Sequence, residues 1–314
     1  MDQPKCYKSN SDIAGIGVRM SVYIQALLGF APAILATMDG YIDANEEDLL
    51  HTIYANLLLT GCGLLVASFI QVKTRGMNVY HSLIVLNLSW LVNASALTVC
   101  IIPTLEEMGG VLQWAKNVWP TRRKRLLELV LVAVHLWMMS GFGIWVWHDP
   151  SAFYLARFPE AKHEERKLCL SLTKYTVFGH DVPVQNASIR SLSLALYSVA
   201  GIPMVNAYFF VVVMGLFGRF FRWPLNGLMM KQFEGRRPQR SYYFAAMFPQ
   251  LLVSIYFMVN TELMIRRSKH LVLPGEDGWS FGQVLAMLLV IFPFYEGVVK
   301  PTARNWLKMG LWVE

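Results

Sequence analysis

Long apolar runs separated by short polar, often basic segments dominate this chain, and they are not the amphipathic stripes of a soluble helix bundle. A helix needs about 20 apolar residues to cross a bilayer core of about 30 Å. Runs of that kind fall at residues 20–38, 50–71, 79–102, 126–147, 191–217, 242–264 and 280–299. They lack the alternation of barrel strands, and only helices or closed barrels satisfy their backbone groups in lipid. The expected fold is all-α, a polytopic bundle of seven transmembrane helices forming a single domain over 1–314. No internal repeat, linker or low-complexity stretch divides it. The polar tail, residues 1–19, carries Asp2, Lys5, Lys8, Asp12 and Arg19 and lacks the apolar core of a cleaved signal, so the first span is expected to act as an uncleaved anchor. Trp145, Trp147, Trp279 and Tyr243 sit near span ends, where amphipathic rings favour the headgroup layer.

Composition agrees with this pattern. Of 314 residues, 55% are hydrophobic and 16% charged, at a mean hydropathy of +0.39. That is too little charge to coat a soluble protein of this size, which argues against a soluble enzyme, a nucleic-acid binder, a secreted disulfide scaffold or a disordered chain. The net charge of +7 reads as basic membrane loops, and the expected partner is the bilayer rather than nucleic acid.

Orientation is less strongly written, because basic residues divide almost evenly between the two sides. The clusters Arg122-Arg123-Lys124-Arg125 and Arg236-Arg237 lie close to span ends, where the positive-inside rule is strongest, and they favour an amino terminus outside the cytosol. The acidic first loop, with Asp39, Asp43, Glu46, Glu47 and Asp48, pulls the other way. In either topology Cys6, Cys169 and Asn186 of the sequon Asn186-Ala187-Ser188 share one side, the latter two in a long loop at 148–190. With the amino terminus outside, that loop is non-cytosolic, Cys6 and Cys169 are a candidate disulfide, and Asn186 is a candidate glycosylation site. Which membrane holds the chain is left open.

Polar side chains inside spans are costly, so function is sought there. The third span carries Asn78, His81, Ser82, Asn87, Ser89, Asn93, Ser95 and Thr98. At about 100° per residue, Asn78, Ser82, Ser89 and Asn93 fall within an arc of roughly 60°, while Asn87 and Thr98 fall on the far side. A span polar on two faces must be surrounded by other helices. Its amides either line a pocket or pathway or serve as interhelical hydrogen-bonding groups.

The ionisable residues expected in spans are His81, Glu128, His135, Glu262 and Glu296. Glu262 precedes Arg266 by four residues and Glu296 precedes Lys300 likewise, so local ion pairs are the plain reading of both. The functional reading joins Glu262 to Gln283, His81 and Asn78 in one cavity at the non-cytosolic face, with Asn87 and Asn93 as further ligand-binding residues. Cys62 and Cys100 read as small packing residues. There is no His or Cys cluster for a metal, no nucleotide-binding loop, no aspartate-rich diphosphate motif and no Lys within 280–299 for a retinal Schiff base, so no cofactor is expected.

The stretches Asp12-Ile13-Ala14-Gly15-Ile16-Gly17-Val18-Arg19 with Tyr23 and Gln25, His81 to Trp90 (containing Leu86-Asn87-Leu88-Ser89-Trp90), Asn260-Thr261-Glu262-Leu263 and Trp279-Ser280-Phe281-Gly282-Gln283 resemble an uncharacterised group of fungal multi-pass membrane proteins. The resemblance covers most spans and implies a fungal origin and a seven-helix architecture, with no activity to carry over. Gly15 and Gly17 suit a tight, backbone-close segment over the first helix, a lid on the proposed cavity.

Two functions are then expected. One is a transporter, channel or sensor of a small solute or lipophilic metabolite, with the third-span amides, Glu262 and Gln283 as its site. The other is a membrane-embedded terpene cyclase or accessory enzyme of fungal secondary metabolism. There a buried Glu262 or Glu296 would be the catalytic acid, kept protonated by dry surroundings, and aromatic rings would stabilise the cation. An aromatic-lined cavity holding an unpaired Glu would favour the enzyme.

Overall fold

The computed structural model describes residues 5–30, 44–74, 76–107, 122–150, 163–206, 208, 212, 239–276 and 278–295. The protein is mostly helical. A short turn, α1 (Ser11–Ala14), breaks at Gly15, whose extended backbone starts α2 (Ile16–Leu28) in a new direction. Four long helices follow: α3 (Ala44–Thr74), α4 (Val79–Glu107), α5 (Arg122–His148) and, later in the chain, α8 (Gln239–Ser268). Between α5 and α8 lie α6 (His163–Leu172), strands β1 (Lys174–Val177) and β2 (His180–Pro183), and α7 (Ala187–Ala200). A 3₁₀ turn at Lys269–Leu271 closes α8, and α9 (Phe281–Phe294) ends the described chain.

Helices α3, α4, α5 and α8 occupy the long apolar stretches and overrun each by several residues. Helix α2 begins at Ile16, before the apolar run proper. Among the described residues, two segments are long and apolar enough to cross a membrane, His51–Thr74 and Leu129–His148. The sequence pattern missed two elements in 148–190: helix α6 and an antiparallel hairpin pairing Lys174 with Pro183 through Val177 with His180. Phe178 and Gly179, both at positive φ, form its two-residue turn, a geometry that suits glycine at the second position. The hairpin is too short for period-2 alternation to stand out against its surroundings.

Helix α4 is the hub. It packs on α8, α3, α5 and α2, and between Val79 and Ala96 every side chain except the half-buried Trp90 is buried. The structure thus surrounds the helix whose two polar faces called for neighbours. Its start is fixed by Asn78, whose Oδ1 accepts the His81 N–H at 2.9 Å and so satisfies a first-turn donor. Asn186 does the same for α7, accepting from Ser188 and Ile189.

The start of α4 and the end of α8 share one end of the molecule with the amino-terminal tail. Cys6 and Cys169 are disulfide-bonded, with Cα atoms 5.5 Å apart across 163 residues of sequence. Cys6 and Tyr7 donate their N–H groups to Leu271 O, and Leu273 donates to Tyr7 O, so the tail runs beside the end of α8 as a short parallel bridge. Tyr7 is buried, stacks on Tyr80 with centroids 6.1 Å apart, and hydrogen-bonds Thr173. Helix α9 packs chiefly on α2, where a Cβ on Gly17 would stand 2.7 Å from the Gln283 Cβ.

Gly17→Ala is therefore expected to destabilise the protein by about 1–3 kcal/mol, as overpacking does. Gly63→Ala, where a Cβ meets nothing within 4 Å, should be neutral or stabilising by up to about 1 kcal/mol. Thermal unfolding in detergent compares the two, and an equal effect would sink the packing argument.

Candidate functional site

The single cavity expected from sequence divides into three places. The first is an open groove of about 460 Å³ between α2 and α8. Its walls are apolar, from Ile16 and Met20 on one side and Met258, Val259 and Leu263 on the other, and its polar groups are Arg19, Tyr23, Glu262 and Arg266. The Arg19 guanidinium forms an ion pair with Glu262, and the Tyr23 hydroxyl donates to the same carboxylate oxygen at 3.0 Å. Arg19 is sunk against α2, its side chain 6% exposed and its Nε–H donating to Ala14 O, while Glu262 is 49% exposed. The partner of Glu262 is thus Arg19 from a distant helix and not Arg266 one turn on. Arg266 lies exposed at the groove's edge. Two guanidinium groups against one carboxylate leave the groove with one net positive charge.

The second place is the seam under the tail. His81 Nε2 lies 2.6 Å from Glu276 Oε1, and Tyr80 donates to the other Glu276 oxygen at 3.5 Å. Gln283 accepts the Gly17 N–H at 2.7 Å and donates to Gly278 O at 2.7 Å. His81 and Gln283, two of the four residues expected in one cavity, are therefore engaged in holding the fold, and Asn78 caps the start of α4. Gln283 is buried because Gly15 and Gly17 leave room for it; a Cβ at either would collide with its side chain. Asp12 on α1 lies 3.1 Å from where a Cβ on Gly282 would be. The stretches around Gly17, Glu262 and Gln283, far apart in sequence, meet here.

The third place is the interior of α4. Asn87 Oδ1 accepts from the Tyr175 hydroxyl of the hairpin at 2.9 Å, and Trp90 Nε1–H donates to the Tyr197 hydroxyl at 3.0 Å. Burial pushes the Tyr175 hydroxyl above its ordinary range, and the neighbouring Tyr256 adds to the shift, so Tyr175 stays a neutral donor to Asn87. Asn87 and Asn93 thus face the bundle interior, whereas Glu262 opens on the groove. His135 is buried with both ring nitrogens unpartnered. Glu296 and the side chain of Glu128 lie outside the described residues. Asn186 is exposed. No group of His, Cys, Asp and Glu among the described residues forms a metal cluster.

Three residues escaped the sequence reading. Arg19 stood in a noticed stretch but outside the expected spans. Glu276 sits in a turn and Tyr175 in the short strand β1 of the stretch expected to be a loop, where nothing in periodicity or spacing marks a long-range partner. No known family model, curated protein or solved structure matches the chain.

Glu262→Gln removes the counter-charge of a buried guanidinium. The loss should be about 1–2 kcal/mol, below the 3–5 typical of a fully buried pair because Glu262 is half in contact with solvent. Tyr23→Phe should cost no more than about 1 kcal/mol. Chemical denaturation in detergent reads both, and a larger loss for Tyr23→Phe would show that the ion pair is not the dominant contact.

Proposed function

We propose that this chain is a multi-pass membrane protein, resembling the fungal group noted above, that binds a lipophilic metabolite with a negatively charged head in the α2–α8 groove. The reading belongs to the transporter or sensor class rather than to acid catalysis. The observation that carries it is the Arg19–Glu262 pair flooring an apolar groove that keeps one positive charge. A lipophilic tail lies along Ile16, Met20, Met258 and Val259. The anionic head meets the exposed Arg266 at the rim, away from the Glu262 carboxylate. A carboxylic acid poised to protonate an alkene or epoxide needs to be neutral and dry. Glu262 has a guanidinium partner and an open side, which supports binding over proton donation.

Support for seven spans comes from the surface. Leu59, Val66 and Ile70 of α3, Leu129, Val130 and Trp137 of α5, Leu192 and Leu196 of α7, Ile255 and Val259 of α8 and Leu285, Leu288 and Ile291 of α9 are all exposed. A soluble monomer rarely exposes contiguous apolar surface on this scale, whereas a bilayer covers it. The Cys6–Cys169 bond supports a non-cytosolic placement for the tail, α6 and the hairpin, since disulfides persist in oxidising compartments. Asn186, exposed on that end, is then open to glycosylation.

For orientation, treatment with an endoglycosidase should increase the gel mobility of the protein made in a eukaryotic host, and Asn186→Gln should abolish the shift. An unshifted wild-type band would count against the non-cytosolic placement. For the ligand, the purified protein in nanodiscs is heated with oleate, oleyl alcohol or oleylamine. Oleate should raise the unfolding temperature by several degrees, about 1–2 kcal/mol at saturating ligand, and Arg266→Gln should remove most of that gain. Equal effects from the alcohol and the amine, or an undiminished effect in Arg266→Gln, would overturn the anionic-head reading.

A further inference from the structure

The α2–α8 groove is open along one side. Ile16 and Met20 on α2 and Val259 on α8 line it and are themselves exposed. Val259 also completes a stripe with Leu252 and Ile255, three and four residues apart and so on one outward face of α8. The wall of the groove and the outward side of α8 are therefore one continuous apolar surface. Its two ends differ in character. Met258 lies at one end of the α8 wall and Arg266 at the other, about 12 Å apart along the helix. Arg266 is exposed on the last turn of α8, the end that the disulfide-bonded tail joins through Leu271.

Trp279 marks the same level. It is exposed, and its ring lies 3.2 Å from where a Cβ on Gly17 would stand, next to Ile16 of the groove. An exposed indole and an exposed guanidinium together suit the headgroup layer, with the apolar wall running inward from them. What the walls contribute depends on where the chain comes from. A chain drawn from water gains about fourfold in affinity for each methylene buried. A chain already in the bilayer gains almost nothing, because lipid tails are as apolar as the side chains that replace them. One leaflet of a bilayer core is about 15 Å deep, so a full-length chain outreaches the groove. A groove facing water would leave that surplus exposed, whereas one facing lipid lets it stay in the bilayer.

We propose that the groove is entered sideways from the bilayer, and that it takes one chain of a lipid from the leaflet on the side of the Cys6–Cys169 bond. The head rests at the level of Arg266 and Trp279, and the chain runs inward past Met20, Val259 and Met258. This route presupposes the anionic ligand proposed for the groove and assigns its source, its leaflet and its path. Selection then falls on the head, since the walls hold a chain no better than the surrounding lipid does.

Two measurements test the route. Full-length protein carrying Cys62→Ser and Cys100→Ser, with the Cys6–Cys169 bond kept, is spin-labelled at Ile16→Cys, Met20→Cys or Val259→Cys in phosphatidylcholine nanodiscs. Oxygen, which concentrates in the bilayer, should relax the Met20 and Val259 labels more strongly than a water-soluble nickel chelate does. This contrast should be larger at Met20 than at Ile16, one turn nearer the head. An equal or opposite preference at Met20 and Val259 would place the groove in water and overturn the lateral route. A contrast equal or larger at Ile16 would overturn the leaflet. In the unlabelled protein, stearate and myristate should raise the unfolding temperature with half-saturating mole fractions in the bilayer that agree within about fivefold. A groove facing water weakens stearate by up to about 250-fold for its four further methylenes, so a difference above about fivefold overturns the lateral route. This arm needs no substitution and decides even where a labelled variant fails to form the Cys6–Cys169 bond. If the two acids agree but Arg266→Gln binds both as well as the unaltered protein does, the anionic-head reading falls and the lateral route stands.

Discussion

Helix α4 must place amides, hydroxyls and an imidazole where no water reaches, and much of the rest of the structure answers that demand. A buried amide without a partner forfeits the desolvation cost of its polar atoms. The partners come from distant parts of the chain: Tyr175 for Asn87, Tyr197 for Trp90, Glu276 for His81. Each fixes an element that has little core of its own. The hairpin is held in the bundle by a hydroxyl, α7 is registered against α4 by an indole N–H, and the turn before α9 is pulled in by an imidazole. Hydrogen bonds of this kind add modest net stability, yet they specify which segment lies where, because an alternative placement leaves both partners orphaned.

The disulfide-bonded end of the molecule shows the same logic with covalent help. The described residues before α1, 5–10, form no helix and only a single-residue bridge. The tail is secured by a disulfide that closes 163 residues of sequence, worth on the order of 4–5 kcal/mol in chain entropy. With the tail in place, α1 and α2 are set against α9 by close backbone approach. Gly15 and Gly17 admit the Gln283 side chain, whose amide then bridges the Gly17 N–H and the Gly278 carbonyl. Glycine is needed here for space rather than for an unusual φ, since Gly15 lies at −63°. A lid-like segment does exist at this position, and it covers packed polar contacts rather than an open cavity.

The legible part of this architecture was the part governed by a single run of residues. Helices α3, α4, α5 and α8 follow from apolar length, and the central position of α4 follows from polar residues on two of its faces. The hairpin was hidden because four-residue strands in a polar loop carry no periodicity, and its burial depends on contacts with Asn87 and Asn260 rather than on its own composition. Site residues were legible as types and misleading as neighbours. Glu262 stands in the right sequence relation to Arg266 for a helical ion pair, but such a pair on an exposed face is worth only a few tenths of a kcal/mol. A buried guanidinium on α2 needs an anion far more, and it takes the carboxylate instead. The competition was decided by desolvation, which spacing along one helix does not encode.

That competition also bears on what the α2–α8 groove is for. An ion pair whose cation is buried and whose anion is half exposed is asymmetric: Arg19 is committed to its place, while the outer edge of Glu262 remains open to the groove. If the pair served only to join α2 to α8, apolar side chains of similar volume would do so at no desolvation cost and often with greater stability. A polar floor in an otherwise apolar groove instead gives direction to whatever lies there, because a lipophilic molecule gains from the walls in any orientation but satisfies the floor in only one. Arg266 at the rim then breaks the charge balance that Arg19 and Glu262 would otherwise reach between them. The sequence order Glu262 before Arg266 looks like a local bridge, whereas the fold spends the carboxylate elsewhere and leaves this second guanidinium facing outward, the group on which the proposed anionic ligand depends.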